Sequence, residues 1–262
     1  MKFQKLSEYV KLFAGKSMGR ERALVDLLEK LEIPYSLHKY HHEHEEHHNY
    51  LFSLGRKEFD ESGLLLTAHY DTFPDSPGAN DNASAIAVLI GLYQELRKSD
   101  LQKKITFAIF DQEENGCVGS RAFAKHNYDF SSVISLELVG HGDVIGLWPI
   151  TEETKNQSFC KELIATIKKK HITYEVVADL PLFYADFTPF REKSIKDSFC
   201  ITVVPKEDLI TIRKVIKHPN LLKKHSPKFF EHYHSKKDDM SMIQDSALSM
   251  AANVLYEIIT KS

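Results

Sequence analysis

Three short apolar runs, each closing on an imidazole or a carboxylate, constrain this chain more than any other feature. Gly63-Leu64-Leu65-Leu66-Thr67-Ala68 leads directly into His69-Tyr70-Asp71. Ile105-Thr106-Phe107-Ala108-Ile109-Phe110 leads into Asp111-Gln112-Glu113-Glu114-Asn115-Gly116, and residues 133–138 carry Glu137 near their end. Apolar runs of this length, without polar alternation, are expected of strands buried on both faces. Between the first two, residues 83–96 space Ile86, Leu89, Ile90 and Tyr93 as one helix would. The pattern predicts an α/β fold: a three-layer sandwich with a central, mostly parallel mixed sheet flanked by helices.

The rest of the chain fits that frame. Helices are predicted over 17–31 (Ser17 as cap), 116–125, 158–169 and 241–259. Further strands are predicted near 35–40, 50–54, 144–147, 173–177 and 199–204. No internal repeat or interdomain linker interrupts residues 1–262, which read as a single domain. Residues 205–230 are the least regular and read as a loop or lid insertion near the site. A chain of 262 residues can bury a sizeable core.

A net charge of -3 gives no electrostatic basis for a nucleic-acid partner. The lysine clusters at 168–170 and 223–224 read as solvated faces. Three cysteines (Cys117, Cys160, Cys200) are too few and too scattered for a disulfide framework or a cysteine-based zinc site. The N-terminal residues lack the apolar core of a signal peptide. No run approaches the ~20 apolar residues that cross a bilayer. A cytoplasmic protein without a membrane partner is expected.

In an open α/β sheet, sites lie beyond the carboxyl ends of the strands, where these acidic and imidazole groups fall. Any one group there suits a surface turn; three in succession suit a metal site. Divalent ions of hard or borderline character take imidazole nitrogen and carboxylate oxygen. Two ions about 3.5–4 Å apart need a bridging carboxylate to screen their repulsion. Adjacent glutamates such as Glu113 and Glu114 can divide two tasks, one facing the metal and one facing water. Asp71, two residues after His69, can accept the imidazole's other N–H and fix its tautomer. A second histidine must close the site. His232 and His234 precede the last helix in an acidic context, whereas His218 and His225 sit in a Lys- and Pro-rich stretch.

Several motifs now stand in a fixed order. They are His69-x-Asp71, then Gly78-Ala79-Asn80-Asp81-Asn82-Ala83-Ser84-Ala85, then Glu113-Glu114-x-Gly116-x-x-Gly119-Ser120. Leu136-Glu137-Leu138 with Gly140-His141-Gly142-Asp143, Asp186-x-x-Pro189-Phe190 and Tyr233-His234-Ser235 follow. From about residue 50 to the C-terminus the chain resembles the co-catalytic zinc aminopeptidases, a family that also contains the glutaminyl cyclases. The resemblance implies a zinc-dependent exopeptidase with two divalent ions, most often zinc, acting on peptides or small aminoacyl substrates. It implies metal ligands at His69, Asp81, Glu114, Glu137 and His234. His69 and Glu137 would serve one ion, Glu114 and His234 the other, and Asp81 would bridge. It further implies Glu113 as general base, Asp71 as the group orienting His69, and Tyr233 as a substrate-binding group that polarises the scissile carbonyl. Asp186 falls near the substrate pocket with no chemical role assigned.

The chain departs from the family pattern at Ala85, often glycine, and at Glu137, often aspartate. The cyclase branch tends to need one zinc, so keeping both His69 and Glu137 favours hydrolysis over cyclisation of an N-terminal glutamine. A nonenzymatic binding module is the third alternative, opposed by the complete ligand set. His44-Glu45-Glu46-His47-His48 also satisfies His-Glu-x-x-His, the helix motif of another metalloprotease class. Polar residues surround it, so a polar strand or hairpin is expected there. Phe183, Tyr184, Phe187, Phe190, Phe229 and Phe230 suit either a pocket lining or core packing.

Overall fold

A computed structural model describes residues 3, 5–15, 19–55, 63–126, 129–178, 184–218, 221 and 227–261. Eight strands form one sheet: β1 (Ser36–His42), β2 (Glu45–Leu54), β3 (Gly63–His69), β4 (Ile105–Phe110), β5 (Phe130–Leu136), β6 (Val144–Trp148), β7 (Tyr174–Val176) and β8 (Asp197–Val204). Their spatial order is β1-β2-β4-β3-β5-β8-β6-β7. The four central strands β4, β3, β5 and β8 run parallel, and β6 pairs with β7 in parallel. The β1–β2, β2–β4 and β6–β8 pairs are antiparallel.

Helices cover both faces, and the sequence shows why. Every residue of β3, β4 and β8 is buried, because alternate side chains enter two different cores. Leu64, Leu66, Phe107, Ile109, Ile134, Phe199 and Ile201 enter the larger core. It is closed by α1 (Ser7–Phe13), α2 (Arg20–Lys30), α3 (Ser84–Leu96), α6 (Ser158–Lys169) and α9 (Asp245–Ile259). Leu65, Ala108, Phe110, Val133 and Cys200 enter the other, closed by α4 (Val118–Ala124) and α7 (Thr188–Glu192). A fully buried side chain such as Phe107 contributes about 1.5–3 kcal/mol. The short α5 (Glu152–Lys155) is capped by the Thr151 side chain, which accepts from the Thr154 amide.

The sequence expectations differ from the structure at the start of α2 and in residues 205–230. Helix α2 starts at Arg20 with Gly19 as its cap, and Ser17 lies outside the described residues. The histidine run forms the polar hairpin expected of it: β1 and β2 pair through it, from Ser36 with Leu51 to His42 with Glu45. The stretch expected to be irregular contains α8 (Leu209–Lys217), which packs Leu209 against Val144 and Val204. Spacing of Leu209, Ile212 and Ile216 on one helical face drives it, and Pro205 ends the preceding strand. Among the described residues, no helix is long and apolar enough to cross a membrane.

Candidate metal centre

Parallel pairing aligns the carboxyl ends of β4, β3 and β5, and the centre is assembled there. His69 is the last residue of β3, Glu113 and Glu114 follow β4, and Glu137 follows β5. Asp81 comes from the turn Ala79–Ala83 ahead of α3, and His234 from the segment ahead of α9. His69 Nε2 lies 3.3 Å from Asp81 Oδ1, 3.3 Å from Glu137 Oε2 and 3.9 Å from Glu113 Oε2. His234 Nε2 lies 3.3 Å from Asp81 Oδ2 and 2.9 Å from Glu114 Oε2. Asp81 therefore turns one oxygen to each imidazole, and each imidazole meets a carboxylate of its own.

The donor set fits a divalent cation. One ligand atom each from His69, Asp81 and Glu114 all lie within 4.8 Å of one another. Asp81 Oδ2, Glu114 Oε1, Glu137 Oε1 and His234 Nε2 are buried without a hydrogen-bond partner. Orphaned buried polar atoms are costly, and four that converge on one space ask for a common partner. Imidazole with carboxylate is the ligand chemistry of zinc, cobalt and manganese.

Burial sets the electrostatics. It pushes Glu137 up to about 8 against the attraction of His69, and it holds Glu113 well above the usual carboxylate range. Burial also acts to lower His234, but Asp81 and Glu114 outweigh it and raise the imidazole to about 9. His69 is likewise raised, by Glu137, Asp71 and Asp81, despite its burial. Asp81 goes the other way: contacts with both imidazoles overcome burial and hold it below the usual range.

A frame of hydrogen bonds positions these groups. Asp71 Oδ1 lies 3.3 Å from His69 Nδ1 and accepts the Glu113 amide at 3.1 Å; its Oδ2 accepts the Glu114 amide at 3.0 Å. Asp71 thus holds the tandem glutamates as well as the histidine. Asn82 Nδ2 donates to Glu137 Oε2 at 2.6 Å and to Leu136 O at 2.8 Å. Phe73 and Tyr233 sandwich the His234 ring, at centroid distances of 4.3 and 3.7 Å. Gln112, Leu138 and His234 hold left-handed backbone (φ 57, 55 and 53°) beside or at these groups. Such conformations cost about 1–3 kcal/mol each and persist where surrounding contacts over-determine them.

All eight residues singled out from sequence for chemistry are brought to this one place. Sequence reasoning missed Asp238, which accepts the amides of Asn80 (2.7 Å) and Asp81 (3.0 Å). It also missed Phe73 and Arg20. The only signal for Asp238 was its position four residues after His234. Asp186 is fully buried, neither oxygen has a hydrogen-bond partner, and burial raises it to about 7 against the attraction of His69.

The other candidates fall elsewhere. His232 Nδ1 lies 3.1 Å from Lys237 O, and His225 lies outside the described residues. His44–His48 occupy the β1–β2 hairpin, so the helix geometry of His-Glu-x-x-His is absent. Instead His47 pairs with Asp111 at 2.9 Å, and His48 bridges Glu21 (2.9 Å) and Glu46 (3.1 Å). Phe187 and Phe190 pack in the smaller core and Tyr184 is exposed; Phe183 and the Phe229 side chain lie outside the described residues. Phe230 lines an open, apolar cavity with Leu138, Trp148, Val177, Thr202 and Leu209. That cavity adjoins the centre: Leu138 follows Glu137, and the Phe230 ring meets Tyr233 at 5.8 Å.

A mixed α/β sandwich with imidazoles and carboxylates gathered at its parallel strand ends is the architecture of a zinc-peptidase-like fold. Residues 49–259 match peptidase family M28, and the chain belongs to that family. A stretch of 63 residues, 24% of this chain and 14% of the relative, is 43% identical to aminopeptidase YwaD of Bacillus subtilis. The fold is similar to that of BSAP, a zinc aminopeptidase from Bacillus subtilis, with a TM-score of 0.67 and 20% identity over 84% of this chain and 50% of the other. It is also similar to the glutaminyl cyclase of Porphyromonas gingivalis, with a TM-score of 0.72 and 17% identity over 99% of both chains. The match thus spans 14% of YwaD and half of BSAP, and nearly the whole of the cyclase.

Proposed function

We propose that the chain is a metal-dependent aminopeptidase that releases N-terminal residues from peptides and is served by two divalent ions, zinc foremost. The observation that carries this reading is the division of Asp81, one oxygen toward His69 and Glu137 and the other toward His234 and Glu114. His69 with Glu137 would hold one ion, His234 with Glu114 the second, and Asp81 would bridge. Bound there, the ions supply Lewis acidity that polarises the scissile carbonyl and acidifies water.

The remaining chemistry belongs to side chains. Glu113 stands 3.9 Å from His69 Nε2, inside the cluster. Its raised proton affinity suits a base that takes a proton from the attacking water and returns it to the leaving amine. Asp71 fixes the tautomer of His69 and the placement of Glu113 through its amide. Tyr233, stacked on His234, would donate to the substrate carbonyl. Surrounding carboxylates offer counter-charge to the substrate's α-ammonium. The apolar cavity beside Glu137 receives the N-terminal side chain, and its lining favours a bulky apolar residue over a carboxamide.

Incubation with L-leucyl and L-glutaminyl anilides in the presence of zinc tests the reading. The expected result is free arylamine, faster from the leucyl compound and abolished by a chelator. Ring closure of glutaminyl peptides without cleavage of the chain would replace it with the cyclase reading.

A further inference from the structure

Arg20 sits outside every motif of the site, yet it is the one lysine or arginine buried among the described residues, at 2% exposure. It opens α2 and reaches the turn that presents Asp81. Its Nη1 and Nη2 each donate to Gly78 O at 3.2 Å, and Nη1 also reaches Pro77 O at 3.4 Å. Gly78 is left-handed (φ 61°), and a Cβ there would stand 2.3 Å from Arg20 Nη1. The guanidinium therefore occupies the space that the glycine leaves free. Asp238 grips the other side of the same turn through the Asn80 and Asp81 amides.

Burying a cation costs several kcal/mol unless neighbours compensate. Burial lowers Arg20 to about 10, opposed by the field of Asp71, Asp81, Asp238 and Glu114, so it stays charged at neutral pH. Packing α2 needs no such charge, because Leu24, Leu27 and Leu28 already bury its apolar face. A forked, permanently charged donor on two successive carbonyls fixes a turn in a way lysine cannot copy.

We propose that Arg20 is a positioning residue for metal binding: it clamps the Pro77–Gly78 backbone from behind so that Asp81 keeps one oxygen toward each imidazole, and it offsets the negative charge of the centre. This rests on the metal-centre reading above. Its effect passes through the turn, as outer-sphere partners orient ligands in other metal sites.

The test measures zinc dissociation constants by competition with a chromophoric chelator for the parent, Arg20→Lys and Arg20→Gln, with thermal unfolding of each metal-free protein alongside. Arg20→Gln is expected to weaken zinc binding about 100-fold and Arg20→Lys about ten-fold, lysine keeping the charge and losing the fork. If Arg20→Gln shows no cooperative unfolding, the folded Arg20→Lys protein decides. Zinc affinity within two-fold of the parent in the folded variants, with only the unfolding temperature lowered, overturns the proposal and leaves Arg20 a packing residue. A folded parent that takes up no zinc overturns the metal-centre reading and this proposal together.

Discussion

Within the centre, neighbouring residues with one chemistry are set apart by geometry. Glu113 and Glu114 are adjacent and both amides are held by Asp71, yet only Glu114 reaches His234, at 2.9 Å. Glu113→Gln is accordingly expected to keep the parent's zinc content while turnover falls about 10²–10⁴-fold, the range of a lost general base. Glu114→Gln should instead lose zinc. Metal analysis of both purified proteins, with turnover of a leucyl anilide, separates the two. Loss of zinc in the Glu113 variant would mean that the roles are exchanged. His69, Glu113, Glu114 and Glu137 were legible in sequence because they lie at the ends of apolar runs, whereas Asp81, Tyr233 and His234 stood out only through the ordered motifs. Arg20 and Asp238 were not legible, because their partners are backbone atoms 58 and 158 residues away. No spacing rule connects a side chain to a carbonyl at that distance.

Secondary elements were legible in proportion to how apolar they are. Strands β3, β4 and β8 announce themselves as unbroken runs, since both of their faces are buried. The outer half of β2 carries His47 and His48 and has no alternation to read; cross-strand register alone defines it. Helix α8 was hidden by proline and lysine at its flanks, although its apolar spacing was present. One element-level feature makes a sharp prediction. Gly119, in the first turn of α4, has its amide on Asp111 O, and its carbonyl accepts from Asn49 Nδ2. A Cβ at Gly119 would stand 2.3 Å from Asp111 O and 2.5 Å from Asn49 Oδ1. Gly119→Ala must push α4 away from the end of β4, carrying the Glu113–Glu114 turn with it. Denaturant titration should show a loss of about 1–3 kcal/mol, the usual cost of overpacking. Zinc affinity should fall as well; unchanged affinity would show that the turn moves independently of α4.

On the scale of the molecule, the fold concentrates carboxylates where three parallel strands end, and stability becomes linked to both protons and metal. Glu137 at about 8, Asp186 at about 7 and Asp238 at about 6 are all raised, chiefly by burial. Between the ordinary carboxylate range and about pH 8, the folded metal-free protein therefore binds more protons than the unfolded chain, and its stability falls as pH rises. His234, raised to about 9, acts in the same direction: its contribution is full below about 6.5 and is lost as pH passes 9. Asp81 opposes them only below the ordinary carboxylate range, because it is lowered. Metal reverses the slope. Its ligands must be deprotonated, so affinity rises with pH, and saturation at 100 times the dissociation constant stabilises by about 2.7 kcal/mol. Thermal unfolding of chelator-treated protein should thus show a midpoint that falls from pH 5 to pH 8. The increment gained on adding zinc should grow over the same interval. A metal-free midpoint that rises with pH would mean that these buried carboxylates ionise without cost, and that the acidic centre is not what limits the stability of the empty fold.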